Sequence, residues 1–280
     1  MTRRRGGRKA KVAIRSAPLS EKSKPVHPGE SGGQYKPLTD EGVGDIIENS
    51  FRILEEIGFN QATPHCIETC TAFGAVMSDD GRLRFPREVV KKAIEISNKD
   101  LILYAQNPAN DLHVNGSRVY FATAGAAVMI ADAETKTYRE SMAQDLYDMS
   151  RIADTCEHIH IFQRTCVLND IKDNYAMDLN TTYNCVMGTT KHVGSSWTEA
   201  HHLEKTLRLL HLMAGGEEAW RMRPFVSQSN CFVVPPMKFA EESLECLRVG
   251  VEGGMPILLL SAAQAAVEGV QWIPDWGRAR

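Results

Sequence analysis

A cysteine and two histidines alternate in the segment CEHIHIF, where Cys156, His158 and His160 stand two residues apart. In a β-strand, side chains at this spacing point to one face. Two histidines so placed on a barrel strand are one way in which barrel metallohydrolases hold zinc, because neutral imidazole suits a tetrahedral ion. One hypothesis from these residues is therefore a metal-dependent hydrolase that uses His158 and His160.

Few further ligands for such a site follow along the chain. The later histidines are His192 and His211, apart from the adjacent pair His201 and His202, which we expect to be exposed. A zinc site here would need ligands from later strands. We therefore assign no metal ligands and favour the simpler interpretation, in which the alternating histidines lie on the entry side of a strand.

The segment DLHVNG has the Asp-x-His-x-x-Gly pattern by which corrinoid-carrying domains ligate cobalt through a histidine, here His113. That motif needs a strand before it and a helix after it. The segment SRVYF follows at once and has the pattern of a strand. We therefore interpret the motif as a polar turn at Asn115 and Gly116.

Hydrogen-bonding and aromatic residues gather where four apolar segments end. They are Gln163, Arg164, Ser195, Ser196, Trp197, Gln228, Ser229, Asn230, Ser261 and Gln264. In a (β/α)8 barrel the carboxyl ends of the strands form the active-site face. The set holds few acids or bases, which suits a reaction whose hard chemistry is done elsewhere. The alternative is that the serines and asparagines cap the helices that follow.

The elements that position these residues recur with a regular period. Strand-like segments begin near residues 159, 192, 225 and 256, each a little over thirty residues after the last. The gaps carry amphipathic helix patterns over residues 177–187, 199–213 and 238–251. Such units predict an α/β fold with buried parallel strands, either a (β/α)8 barrel or a doubly wound sheet.

The preceding part of the chain predicts helices and a hairpin. Helices are expected from Thr39 or Asp40, across CIETCTAFGA, from Pro86, and across AQDLYDMSRIADTC. Between residues 118 and 142 the pattern alternates and is interrupted by the turn DAET, which predicts a hairpin.

Composition and charge exclude several classes of protein. The net charge of −3 argues against a general nucleic-acid binder, because counterion-driven binding needs a broad excess of lysine and arginine. No apolar run approaches the ~20 residues of a membrane span, so we expect no membrane contact. Seven scattered cysteines, an odd number, indicate reduced thiols and a cytoplasmic location rather than a disulfide framework.

A local excess of positive charge opens the chain. The basic residues among the first fifteen are Arg3, Arg4, Arg5, Arg8, Lys9, Lys11 and Arg15. No apolar segment follows, so we expect no secretory signal, and residues 1–34 are interpreted as a flexible basic tail and linker. An arm that contacts RNA or a membrane is the alternative.

Several segments together resemble the trimethylamine methyltransferase family. They include GGQYKPLTDEGVGDIIENSFRILEEIGF, RVYFATAGAAVMIADAETKTYRES, TTKHVGSSW, RPFVSQSNCFVVPPMKFAEE and GGMPILLLSAAQA. The resemblance extends from about residue 33 to residue 265. It implies a (β/α)8 barrel of which about the first four units are present. The expected division is an N-terminal helical and hairpin region over 35–157 and a partial barrel over 158–265.

The resemblance also implies an activity. Family members move a methyl group from a tertiary or quaternary amine to the Co(I) of a separate corrinoid protein, so the enzyme itself binds no cofactor directly. A quaternary amine can be held by an aromatic face, for which we expect Trp197. The expected substrate-binding residues are Gln163, Ser195, Ser196, Trp197, Gln228, Asn230, Ser261 and Gln264. A betaine-like substrate is favoured, because the branch that uses trimethylamine carries pyrrolysine in the barrel's later half.

The tail AVEGVQWIPDWGRAR, residues 266–280, resembles no part of the family. Our hypothesis is a frameshift or a truncated gene model, under which the family's activity would belong to the full-length enzyme. A non-enzymatic remnant is therefore a further alternative beside the methyltransferase and the metal-dependent hydrolase. A homo-oligomer is compatible with the sequence.

Overall fold

The computed structural model describes residues 30–261. The basic tail before residue 30, the divergent tail over 266–280 and Gln264 lie outside the described residues. The first helices are α1 (Asp40–Arg52), which continues as a π-helical turn over Ile53–Ile57, α2 (Pro64–Phe73) and α3 (Arg87–Ile96).

These helices begin and end where the sequence predicts. The Thr39 hydroxyl accepts a hydrogen bond from the Gly42 amide at 3.1 Å and so caps α1. Thr63 caps α2 in the same way, from the amide of Cys66 at 3.3 Å. Helix α2 ends at Gly74, whose φ of 113° is a left-handed conformation that favours glycine.

Short antiparallel pairs surround these helices. The strands are β1 (Glu30–Ser31), β2 (Val76–Met77), β3 (Leu83–Arg84), β4 (Leu101–Leu103), β5 (Leu112–Val114), β6 (Arg118–Val119), β7 (Met129–Ala131) and β8 (Tyr138–Glu140). Strand β1 pairs with β6, β2 with β3, β4 with β5, and β7 with β8. The β7–β8 pair confirms the predicted hairpin, with Asp132 accepting amide hydrogen bonds from Glu134 and Thr135. The predicted turn at Asn115 and Gly116 is also confirmed, because it links β5 to β6.

A parallel sheet follows in the second half of the chain. Its strands are β9 (Ile161–Gln163), β10 (His192–Ser195), β11 (Val226–Val234) and β13 (Ile257–Ser261), with the short antiparallel β12 (Lys238–Phe239) paired to β11. Strands β9, β10, β11 and β13 lie in that order, each parallel to the next. The helices are α4 (Ala143–Thr155), α5 (Asn174–Gly188), α6 (Ala200–Ala214), α7 (Glu217–Met222) and α8 (Glu241–Glu252).

The free edge of β9 is covered by an extended segment over residues 122–127. Ala122 bridges Ile161, and Ala127 bridges Cys166, both in parallel orientation. The sheet therefore gains a parallel neighbour that the strand spacing alone did not predict. The prediction of a mixed α/β fold with parallel strands is confirmed. No closed barrel is present within residues 30–261, so a partial (β/α)8 barrel stays a prediction.

The main core lies between the parallel sheet and its helices. Phe162, Val193 and Val226 project from adjacent strands and are fully buried. Leu146 of α4, Leu203 of α6 and other helix residues pack against this row. Because parallel strands joined by crossover helices are covered along their length, this row of residues is apolar.

Polar contacts attach the N-terminal region to the sheet. The Arg82 guanidinium donates to the carbonyls of Gly58 and Met237, each at 3.0 Å. Arg223 forms two hydrogen bonds to the Asp111 carboxylate, at 2.8 and 2.9 Å, and lies over the Tyr104 ring. These contacts cross the predicted boundary at residue 158, and the division into two regions stays a prediction.

A buried lysine holds the turn between α4 and β9. The Lys191 ammonium donates to three backbone carbonyls, those of Ala153 at 2.7 Å, Cys156 at 2.6 Å and Ile159 at 2.6 Å. Lys191 is only 6% exposed, and burial lowers its pKa. The Ala153 and Cys156 carbonyls also accept from the amides of Cys156 and Ile159, each at 3.2 Å, so Lys191 adds a charged donor to a turn that backbone hydrogen bonds already close.

Replacing Lys191 by methionine should lower the free energy of unfolding by about 2 kcal/mol, because three carbonyls lose a charged donor while two of them keep a backbone donor. Urea denaturation of Lys191→Met and wild type measures the difference. The matched control is Lys205→Met, since Lys205 is exposed on α6. Equal losses in the two variants would contradict the assigned role of Lys191.

Candidate site at the carboxyl ends of the parallel strands

The pairing of the strands sorts their side chains onto two faces. Gln163 is paired with Gly194, and Gly194 with Ser227, so these three residues share one face. Successive residues of a strand point to opposite faces. Phe162 and Val193, one position earlier, lie in the core under the helices. The Gln163 row therefore occupies the face away from the helices.

A cavity of about 380 Å³ opens on this face at the strand ends. It is lined by Ala122, Thr123, Ala124, Gly125, Ala126, Gln163, Arg164, Ser196, Ser229, Leu258 and Leu260. The volume is typical of a pocket for a small molecule. Among these residues there is no histidine and no carboxylate, so the described lining offers hydrogen bonds and aliphatic surface, but no general acid or base.

The floor of the cavity depends on the close approach of the Gln163 side chain to Gly194. A Cβ atom at position 194 would lie 1.9 Å from Oε1 of Gln163. Glycine at this position therefore leaves space for the Gln163 carboxamide to lie across β10. The Thr123 hydroxyl fixes the backbone of the same residue, since it accepts from the Gln163 amide at 2.8 Å and donates to its carbonyl at 2.7 Å.

Of the residues expected to bind substrate, Gln163 and Ser196 line the cavity, and Arg164 and Ser229 from the wider strand-end set line it too. Four others have side chains on the helix face and do not line this cavity, so their part in substrate binding stays a prediction. They are Ser195, Trp197, Gln228 and Asn230. The physical reason is the two-residue period, because Ser195, Gln228 and Asn230 stand on the same face as the core residues Val193 and Val226. The Ser261 and Gln264 side chains lie outside the described residues.

The Trp197 ring, expected to hold the substrate cation, lies in the core. Its side chain packs under the helices, the residue is 2% exposed, and its indole N–H donates to the Thr206 hydroxyl at 3.2 Å. The Trp197 carbonyl accepts from the Asn230 amide group at 3.0 Å. Asn230 and Trp197 thus connect β11 to the loop after β10 and do not line the cavity.

The cavity also contains residues that the strand-end pattern did not indicate. Residues 122–126 form one wall, and Leu258 and Leu260 of β13 form another. Leu258 and Leu260 could have been found by alternation, because they stand two residues apart and Leu258 pairs with Ser229. In the sequence, the wall at residues 122–126 is marked only by a run of small residues.

The alternating histidines do not form a metal site. The strand begins at Ile161, so Cys156 and His158 lie before it, and His158 is exposed in a turn. His160 is buried, and its Nδ1 atom accepts from the Phe121 amide at 3.0 Å. The hypothesis of a hydrolase using His158 and His160 is therefore not favoured.

A third histidine is held uncharged below the cavity. His192, at the start of β10, is fully buried, and its Nδ1 lies 2.6 Å from the Tyr104 carbonyl oxygen. Because a carbonyl only accepts, Nδ1 is the protonated nitrogen. Burial lowers the pKa of His192 to about 4. The side chain is thus a neutral structural donor at neutral pH.

Comparison with known families covers nearly the whole chain. The model of the family described as "Trimethylamine methyltransferase (MTTB)" matches residues 4–269. The chain belongs to this family.

Curated relatives carry names that fit the family. The chain is 27% identical over 225 residues to "Trimethylamine methyltransferase MttB" of Desulfitobacterium hafniense, covering 80% of this chain and 45% of the relative. It is 24% identical over 238 residues to "Glycine betaine methyltransferase" of the same species, covering 84% and 49%. For "Trimethylamine methyltransferase MttB" of Methanosarcina thermophila the identity is 21% over 240 residues, covering 84% and 50%. The chain spans about half the length of these relatives.

None of the helices between residues 30 and 261 has the length and apolar character needed to cross a membrane.

Placing a Cβ atom at position 194 should displace the Gln163 carboxamide. Gly194→Ala should lower the free energy of unfolding by about 1 to 2 kcal/mol, as expected for overpacking against a side-chain end. The loss should be smaller when Gln163 is already alanine, because the clashing atom is then absent. Urea denaturation of the two single variants and the double variant measures this coupling, and additive losses would contradict the proposed contact.

The free energy of unfolding should fall as the pH is lowered from 6.5 to about 4. In this range the unfolded chain protonates His192 while the folded chain does not, so protons favour unfolding. Lowering the pKa of His192 from 6.5 to about 4 corresponds to a loss of about 3 kcal/mol in the free energy of unfolding over this pH range. In His192→Asn, whose amide can still donate to the Tyr104 carbonyl, the pH dependence should be smaller by that amount. An unchanged pH profile would contradict the assignment.

Proposed function

We propose that the protein is a methyltransferase that moves a methyl group from a betaine-like quaternary amine to the Co(I) of a separate corrinoid protein. The observation that carries this proposal is the family match over residues 4–269. One relative is named for glycine betaine and others for trimethylamine.

The chemistry of the cavity supports a quaternary amine. Loss of a methyl cation from such a substrate leaves a neutral amine, so no acid has to protonate the leaving group. The lining described above contains no carboxylate or histidine, which agrees with that requirement. The Gln163 carboxamide and the hydroxyls of Ser196 and Ser229 supply oxygen atoms that can lie against the positively charged methyl groups. Leu258 and Leu260 supply the apolar surface that excludes water.

The cavity is compatible with a methyl acceptor that remains outside it. The cavity volume suits a small amine, while a corrin ring is too large to share it, so the partner's corrinoid would face the mouth of the cavity. Bound there, Co(I) supplies the nucleophile. The part of this chain is to bind the amine, to turn one methyl group towards the mouth and to keep water away.

Gln163→Ala should weaken the binding of glycine betaine about tenfold, because the carboxamide oxygen that can face the ammonium group is lost. Isothermal titration of the full chain measures the dissociation constant. Choline carries the same ammonium group, so its binding should weaken by a similar factor. The control variant is Arg208→Gln, since Arg208 is exposed on α6 away from the cavity.

Two outcomes would overturn different parts of this proposal. Unchanged betaine affinity in Gln163→Ala would contradict the contact between the carboxamide and the ammonium group and leave the rest of the amine site standing. Absence of betaine and choline binding to the folded wild-type chain would contradict the amine site itself.

A further inference from the structure

Three potential metal ligands converge where α6 begins. Glu199 immediately precedes the helix, and His201 and His202 lie in its first turn. One ligand atom from each residue lies within 4.8 Å of the others. The sequence suggested an exposed histidine pair, but His202 is 3% exposed, while the side chains of His201 and Glu199 are 60% and 46% exposed. The cluster is therefore anchored on one buried ring and reachable from solvent.

A buried carboxylate fixes the orientation of that ring. Nδ1 of His202 lies 2.7 Å from Oδ2 of Asp178, a residue of α5 that is fully buried. An ionised carboxylate only accepts hydrogen bonds, so Nδ1 carries the proton and Nε2 carries the lone pair. The Thr198 amide and hydroxyl donate to the same carboxylate oxygen, at 2.8 and 2.7 Å. This arrangement of carboxylate, histidine and free ring nitrogen is the one that orients metal-binding histidines in proteins.

The charge of Asp178 needs compensation. Among the described residues no lysine or arginine forms an ion pair with it, and an imidazole with a lone pair on Nε2 contributes a hydrogen bond but no positive charge. Its second oxygen, Oδ1, is buried without a hydrogen-bond partner. A buried carboxylate that hydrogen bonds to one oxygen alone stabilise is costly. A cation on Nε2 of His202 would offset that charge through the imidazole ring.

We propose that Glu199, His201 and His202 form a binding site for a divalent ion of the zinc class, with Asp178 positioning His202. Two imidazoles and one carboxylate match the ligands that zinc prefers. Tetrahedral coordination brings ligand atoms closer together than 4.8 Å. Glu199 and His201 can close this gap, because both are exposed and free to rotate. Three protein ligands leave a fourth position for water or for a carboxylate from another molecule.

The site is separate from the features described above. It lies in the loop that follows β10, three residues after Ser196, and so at the same end of the sheet as the cavity. None of its three ligands lines that cavity, and none belongs to the CEHIHIF segment. The inference does not rest on the proposed methyltransferase activity.

The test is zinc binding by the full chain, measured by equilibrium dialysis against Zn²⁺ with metal analysis. Wild type should bind one equivalent, and Zn²⁺ should raise its melting temperature. His201→Ala should weaken binding at least tenfold and abolish the thermal shift. Asp178→Asn should weaken it about 10- to 100-fold, as for other residues that orient metal ligands. His158→Ala is the matched control, since it removes an exposed histidine elsewhere and should leave binding unchanged.

A substitution at His201 is suited to this test, because the side chain is exposed and its loss should not prevent folding. Absence of stoichiometric zinc binding to wild type would overturn the proposal. So would equal binding by wild type, His201→Ala and Glu199→Gln, or an equal loss in the His158→Ala control. The absorption of bound Co²⁺ gives a second readout, and its loss in His201→Ala is expected if that imidazole is a ligand.

Discussion

The register of the parallel strands is the constraint on which the candidate site depends. Pairing Gln163 with Gly194 and Val193 with Val226 places every second side chain under the helices and every other one on the opposite face. The apolar row fixes this choice, because a shift by one residue would expose Phe162 and bury the Gln163 carboxamide. Burial on one face thereby determines which polar residues reach the cavity on the other.

The same constraint explains why part of the site could be predicted and part could not. The period of the apolar segments indicated the strands, the helices and the end of the sheet where polar residues gather. The two-residue period of a strand also separates Ser196 from its neighbours Ser195 and Trp197, which point to the opposite face. The expected substrate-binding set was chosen by position at a strand end, without regard to which face of the sheet each side chain points to. Trp197 entered the set in this way, although its ring completes the core.

Other features depend on contacts that no local pattern contains. The wall at residues 122–126 is formed by pairing with β9, nearly forty residues later in the chain. The buried state of His202 depends on Asp178, which lies on the preceding helix, and the turn after α4 depends on Lys191. In each case a polar group is satisfied by a partner that only the tertiary fold brings near. The resemblance to a family supplied the chemistry that composition and spacing left open.

Methyl transfer from glycine betaine to a corrinoid protein is the measurement that decides whether the chain is a betaine methyltransferase. The full chain, with its fold verified, would be incubated with glycine betaine and a Co(I) corrinoid protein, and the release of dimethylglycine would be followed by mass spectrometry. We expect release that requires both the chain and the corrinoid protein, and less release from trimethylamine as methyl donor. No demethylation of either amine by the folded chain would overturn the proposed function.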